Sequence, residues 1–194
     1  MSTVIRIPEF LQYNPKLLDE IIFVHRDMQK TCVKLREKLV GLTFDSRNAA
    51  FLEIPTLPPI PIAAKRLYEF YQKLYGIFLN IEIMLVGILQ AYNPGDATLA
   101  VRSSQVCQEI IDLSLAAMEL RPLGAGWIPM CLVSAWGATS NNQSKDLLEK
   151  AWSRCWAPYS TMGLADCAKQ FEALYQRLRF AVANANMSPP GCAL

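Results

Sequence analysis

One imidazole serves the whole chain. The sequence holds a single histidine, His25, so any Ser/His/Asp or Cys/His nucleophilic site would have to use it, and a metal site built on several imidazoles is excluded. His25 falls within an apolar stripe, flanked by Ile21, Met28 and Cys32. Cys32 lies about two helical turns further on, too far for the two groups to touch through their own helix. The pattern predicts a packed, hydrogen-bonded core histidine rather than a catalytic or pH-sensing one.

Carboxylates offer slightly more. Glu82 sits in the most apolar segment of the chain, Ile77 to Leu89, where an ionised side chain needs a partner or a raised pKa. Glu109 and Asp112 stand three apart on one helix, a spacing that could hold a metal. Carboxylate-bridged bundle sites, however, add a His three residues after a Glu, and that pair is missing, so a structural ion pair or a solvated face is predicted instead. No phosphate-binding GxxxxGK[ST], dinucleotide GxGxxG or zinc-binding HExxH pattern occurs. The sequence therefore predicts no catalytic residue, no cofactor and no metal. Cys32, Cys107, Cys131, Cys155, Cys167 and Cys192 are scattered without a CxxC pair, which argues for free thiols in a reducing, intracellular setting.

Two further sets of side chains could bind. Arg26, Lys30, Lys34 and Lys38 recur every fourth residue and centre opposite the apolar stripe, so this basic row faces solvent or a partner. No aromatic residue interleaves with the row, Asp27 and Glu37 dilute it, and the net charge is only +2 from 19 basic and 17 acidic side chains. Direct nucleic-acid binding is not expected from such a balance. Trp127, Met130, Trp136, Trp152 and Trp156 make the C-terminal half aromatic. Aromatics at helical spacing are usually core, yet with Glu82 they could also line a pocket for a small apolar ligand.

The elements that must position these groups read as helices. Ile21, His25, Met28, Cys32, Leu35, Leu39 and Leu42 recur at steps of three and four, which predicts a helix from about Pro15 to Leu42. Pro55, Pro58, Pro59 and Pro61 make residues 43–62 an extended connector. Helical spacing returns from about Ala63 to Tyr92 and stops at Asn93-Pro94-Gly95, after which Asp96 can cap a helix reaching Pro122. Shorter helices are predicted over Gly124 to Gly137, Lys145 to Trp156 and Gly163 to Val182, with a frayed tail from 184 to 194. No alternating run argues for a strand. The expectation is one all-α domain over residues 1–194, a bundle of about six helices. The run Ile77 to Leu89 is 13 residues and carries Asn80 and Glu82, short of the roughly 18 that argue a membrane span, and no apolar leader segment opens the chain.

Leu67 to Phe180, taken in order, resembles the C-terminal regulatory region of fungal zinc-cluster transcription factors. The features are a long apolar helix, then Gln108-Glu109-Ile110-Ile111-Asp112-Leu113 leading to Arg121-Pro122-Leu123-Gly124. Trp127-Ile128-Pro129-Met130-Cys131-Leu132-Val133-Ser134-Ala135-Trp136-Gly137-Ala138-Thr139 is similar to that family's buried, Pro-bearing helix and its polar break, and Asp146 to Trp152 to its charged helix. The resemblance implies a nuclear or cytoplasmic, non-catalytic effector domain acting through a protein partner, a homodimer or a small ligand. The family's DNA-reading module needs six closely spaced Cys around two zinc ions, and these Cys are not so placed. From the residues alone, a small all-α enzyme or carrier with an aromatic-lined pocket stands as the alternative. Hydrophobic residues make up 52% of the chain against 19% charged, concentrated in Ile77 to Leu89 and Trp127 to Trp156, a surplus that predicts a pocket or a partner surface.

Overall fold

Steps of three and four between apolar residues fold as helix throughout the computed structural model, which describes residues 2–51, 62–118, 126–156 and 160–187. The helices are α1 (Ser2–Phe10), α2 (Leu18–Phe51), α3 (Ile62–Tyr92), α4 (Ala97–Ala117), α5 (Ile128–Ala138), α6 (Asn142–Cys155) and α7 (Leu164–Met187), with a short 3-10 turn at Pro15–Leu17 before α2. Among the described residues there is no strand, so the chain is all-α.

Side-chain caps set several of the starts. Asn14 accepts from the Lys16 amide at 3.1 Å, Asp96 from Thr98 and Leu99 at 2.8 and 3.2 Å, and Asn141 from Gln143 and Ser144 at 2.9 and 3.4 Å. Each satisfies helix-start donors that have no partner inside the helix. Asp19 and Glu20 in the first turn of α2 meet the positive end of its dipole.

Three boundaries depart from the sequence expectation. Helix α1 occupies a stretch for which no helix is predicted, with Ile7 and Phe10 buried and α1 resting on α3. Helix α2 runs through Gly41 to Phe51, so the first part of the expected 43–62 connector is helix. A single Gly costs a helix interior only about 1 kcal/mol, and the first proline comes at Pro55. Residues 52–61 lie outside the described residues. Helix α7 likewise continues to Met187, into the expected tail, of which 188–194 lie outside the described residues.

Helix α3 is the axis of the bundle, packed on α2, α4, α5 and α7. Leu79, Ile83, Leu85, Val86 and Ile88 along it are wholly buried, each contributing roughly 1.5–3 kcal/mol of burial free energy. By length and composition α3 is apolar enough to cross a membrane; 78% of its most apolar stretch is buried inside the bundle, which accounts for that composition. Close approach is made where side chains are missing. A Cβ on Gly87 would stand 2.9 Å from the Tyr175 ring, and one on Gly137 would stand 2.7 Å from Phe171 Cβ, which brings α7 tight against α3 and α5.

Candidate functional site

Three helices contribute pairs of polar residues seven apart to one buried seam. Helix α2 supplies His25 and Cys32, α3 supplies Tyr75 and Glu82, and α4 supplies Arg102 and Glu109. Seven residues are about two turns, so each pair shares one helix face about 10 Å apart. Glu82 meets Arg102 while Tyr75 meets Glu109, so positions move in opposite directions along α3 and α4 and the two helices run antiparallel.

The centre of the seam is Glu82, which is completely buried. Its Oε1 accepts from Nε of Arg102 at 2.6 Å and lies an equal 2.6 Å from Nη2 of the same guanidinium in an ion pair. The remaining Arg102 nitrogen, Nη1, lies 3.5 Å from Oε1 of Glu109, and Arg36 Nη1 reaches the same oxygen at 3.7 Å from the outer edge of α2. Tyr75 donates its hydroxyl to Oε2 of Glu109. Two buried atoms are left over: Oε2 of Glu82 and Nε2 of His25 have no hydrogen-bond partner in good geometry. Orphans of this kind are rare in protein interiors and cost free energy unless something else meets them.

The seam governs the charge states around it. Burial pushes the His25 imidazolium below its ordinary range, outweighing the opposing pull of Glu82 and assisted by the charges of Arg102 and Arg26. His25 is therefore neutral at physiological pH, carrying one N–H donor and one acceptor nitrogen. Burial works against the Arg102 charge as well, but the hydrogen bond and charge of Glu82 and the charge of Glu109 hold the guanidinium above its usual value. Burial, followed by the neighbouring Glu82 carboxylate, raises the Cys32 thiol far out of the reactive range.

At the His25 end the seam opens into a cleft of about 620 Å3. Its lining mixes Leu18, Ile22, Leu89, Tyr92, Leu99 and Val182 with the polar side chains of His25, Arg26, Gln29, Asn93, Asp96, Thr98, Arg102 and Asn186. The Tyr13 and Tyr92 rings stack at its mouth, with centroids 6.0 Å apart and planes inclined by 26°. Tyr92 is fixed there because its hydroxyl accepts from the Asn14 amide at 3.1 Å. A second hollow of about 650 Å3, between α4 and α6, is a more open groove with charged walls that include Asp146, Glu149, Lys150 and Arg154.

The aromatic residues expected to form a pocket do not line the cleft. Trp127 is buried in the space that the missing side chain of Gly76 leaves, and Met130 is exposed. Trp136 lies beneath Lys145, whose Nζ is 3.8 Å from the ring centroid, and its indole donates to Glu149 at 3.3 Å. Trp152 and Trp156 stand together with ring centroids 6.4 Å apart. These rings fill space between helices rather than enclosing it. Glu82, grouped with them on composition, belongs to the seam behind the cleft.

His25 is buried as expected, but its Nε2 lacks the hydrogen bond that a satisfied core histidine would have. Glu109 forms the predicted ion pair, and Asp112 accepts from Gln108 at 2.8 Å on the surface. Arg26, Lys30, Lys34 and Lys38 are all exposed; Arg26 also lines the cleft, and Phe23, 71% exposed, shares the outward face of the row. Sequence reasoning missed Arg102, Tyr13 and Tyr92. The only signal for Arg102 was that Glu82 had to have a cation somewhere. Among the described residues no group of three or more His, Cys, Asp or Glu side chains could hold a metal ion. No protein-family model, no curated protein and no solved structure matches this chain.

Proposed function

We propose that this chain is a non-catalytic regulatory module, of the kind found in fungal zinc-cluster transcription factors, that responds to a small molecule held between α2, α3 and α4. The observation that carries the reading is the cleft of about 620 Å3 with a buried, unpartnered His25 at its base. Its volume falls within the roughly 300–1,000 Å3 of sites that enclose small ligands, and apolar Leu18, Ile22, Leu89, Leu99 and Val182 alternate in its lining with polar side chains able to hydrogen-bond. The cleft joins helices far apart in sequence, so an occupant would bias how α2 and α7 sit on α3. Exposed Phe23 and Val40, interleaved with Lys30 and Lys34 on the outward face of α2, support a contact with a protein partner or a second copy.

A second reading, a small helical carrier or enzyme, draws on the same cleft, because His25 and Arg102 line it, with Glu82 paired to Arg102 behind them. Native mass spectrometry of the protein purified from its source tests the site. A small molecule bound one to one, and lost when Ile22→Trp fills the cleft, is the expected result; a bare chain overturns the ligand-responsive reading. Hydrogen exchange then separates the classes. A regulator changes protection on the outer face of α2 when the ligand binds, whereas a carrier changes it only around the cleft.

A further inference from the structure

Helix α2 carries a second stripe besides the one that packs on α3. Phe23, Arg26, Lys30, Val33, Glu37 and Val40 follow one another at steps of three and four, and all of them are exposed. From the helical repeat, this stripe lies about 150° round α2 from the buried stripe of Ile21 to Leu39 and runs for about 25 Å. Steps of three and four are the spacing that keeps one helix seated along another. Phe23, Val33 and Val40 are 71%, 43% and 60% exposed, so apolar side chains recur along the whole stripe. Among the described residues no ion pair takes up the charges of Arg26, Lys30 or Glu37, nor those of Asp27 and Lys34 on its flank.

We infer that this face receives a second copy of the chain, its α2 laid antiparallel on the first about a two-fold axis between Lys30 and Val33. The order of the residues selects that occupant. In this register Phe23 faces Val40 of the second copy, Arg26 faces Glu37 and Lys30 faces Val33, and the two-fold axis repeats each contact. Lys30 lays its methylene stem along Val33 and keeps its ammonium in water. On the flank, Asp27 comes beside Lys34 of the second copy. The pairs Arg26–Glu37 and Asp27–Lys34 thus each form twice, from charges that have no ion pair within the chain. A parallel copy would instead set Arg26 on Arg26 and Glu37 on Glu37, and an acidic partner helix would meet Asp27 and Glu37 within the face; both juxtapose like charges. The inference rests on the reading of this outer face as a protein contact, and it names the occupant.

Sedimentation equilibrium of the full chain from about 1 μM to about 1 mM, at low and at high salt, tests this. The parent should pass from monomer to dimer across that range, and salt should weaken the dimer because its ion pairs stand at the surface. Arg26→Glu and Glu37→Arg each put like charges at both symmetry-related pairs, so either variant alone should dimerise at least about tenfold more weakly than the parent. Mixed in equal amounts, the two variants should associate as tightly as the parent, since each replaced side chain then faces an opposite charge on the other variant. The mixture also controls for folding, because an unfolded variant could not be rescued by its counterpart. A parent that stays monomeric to about 1 mM overturns the second copy as occupant, while the ligand-binding reading keeps its own test by native mass spectrometry. A parent that dimerises while the mixture stays monomeric, or a single variant that dimerises as tightly as the parent, overturns the assignment of the contact to this face.

Discussion

Replacing Arg102 with Met isolates the interaction that holds the base of the cleft. Glu82 is completely buried, and its Oε1 accepts a hydrogen bond from Arg102 Nε at 2.6 Å and lies 2.6 Å from Nη2 of the same guanidinium. In the variant, Glu109 keeps Tyr75 and Arg36, so the loss falls on Glu82, left with the weak Cys32 thiol beside it. Removing one partner of a buried ion pair costs about 3–5 kcal/mol, because the other charge stays buried and uncompensated. Against a typical domain stability of about 5–15 kcal/mol, that is enough to shift a urea midpoint far outside error. The double variant Glu82→Leu, Arg102→Met replaces the pair with apolar groups and should return to within about 2 kcal/mol of the parent, giving a coupling energy above about 1 kcal/mol.

Urea denaturation of the parent, both single variants and the double variant, followed by tryptophan fluorescence, measures all of these quantities. A cost below about 1 kcal/mol for Arg102→Met, or a double variant no more stable than that single, would refute the reasoning by showing that Glu82 does not depend on the guanidinium.

Other measurements test neighbouring parts of the structure. His25, facing Glu82, Arg102 and Arg26, has a folded-state pKa below its unfolded value of about 6.5; its contribution is therefore complete above that pH and lost as pH falls through the folded value. Melting temperatures of the parent should drop between neutral and mildly acidic pH, and His25→Gln should flatten the drop; an unchanged slope contradicts the assignment. Gly137→Ala puts a Cβ 2.7 Å from Phe171 Cβ and 3.4 Å from the Glu172 amide, so it should destabilise by about 1–3 kcal/mol even with Ala's better helix propensity. Gly41→Ala, with nothing within 4 Å, should instead stabilise by about 0.5–1 kcal/mol, and thermal unfolding of the two variants should move in opposite directions. Burial pushes the thiols of Cys107 and Cys131 up to about 12, so at neutral pH a thiol reagent should label half-buried Cys167 well before either; mass mapping that finds Cys131 modified as fast as Cys167 contradicts this.

The helices were legible because their signal is local. The stripe from Ile21 to Leu39 repeats at helical spacing, and each of those residues is buried. Terminations were less legible, because they turn on small energies. Gly41 is too weak a breaker to stop α2, and α1 exists only because Ile7 and Phe10 find α3 to bury against. Glu82 was recognisable as a residue in need of a partner, since a charge in so apolar a segment cannot stand alone.

The position of that partner could not be read from residue types. Arg102 reaches Glu82 because the turn at Asn93–Asp96 folds α4 back antiparallel along α3, and its register along that helix is a product of packing. The cleft was misplaced for a similar reason. Trp127, Trp136, Trp152 and Trp156 are what either a core or a pocket would be made of, and composition does not say which side chains fill the space between helices and which leave some empty. Periodicity and composition by themselves determined that this chain is all helix, that His25 is buried and that Glu82 is anomalous, because those properties follow from backbone repeat and transfer free energy residue by residue. Only the tertiary structure decided that His25 lines a cleft unpartnered, with Glu82 and Arg102 locked together behind it, because that depends on how the faces of α2, α3, α4 and α7 meet and on the volume they fail to fill.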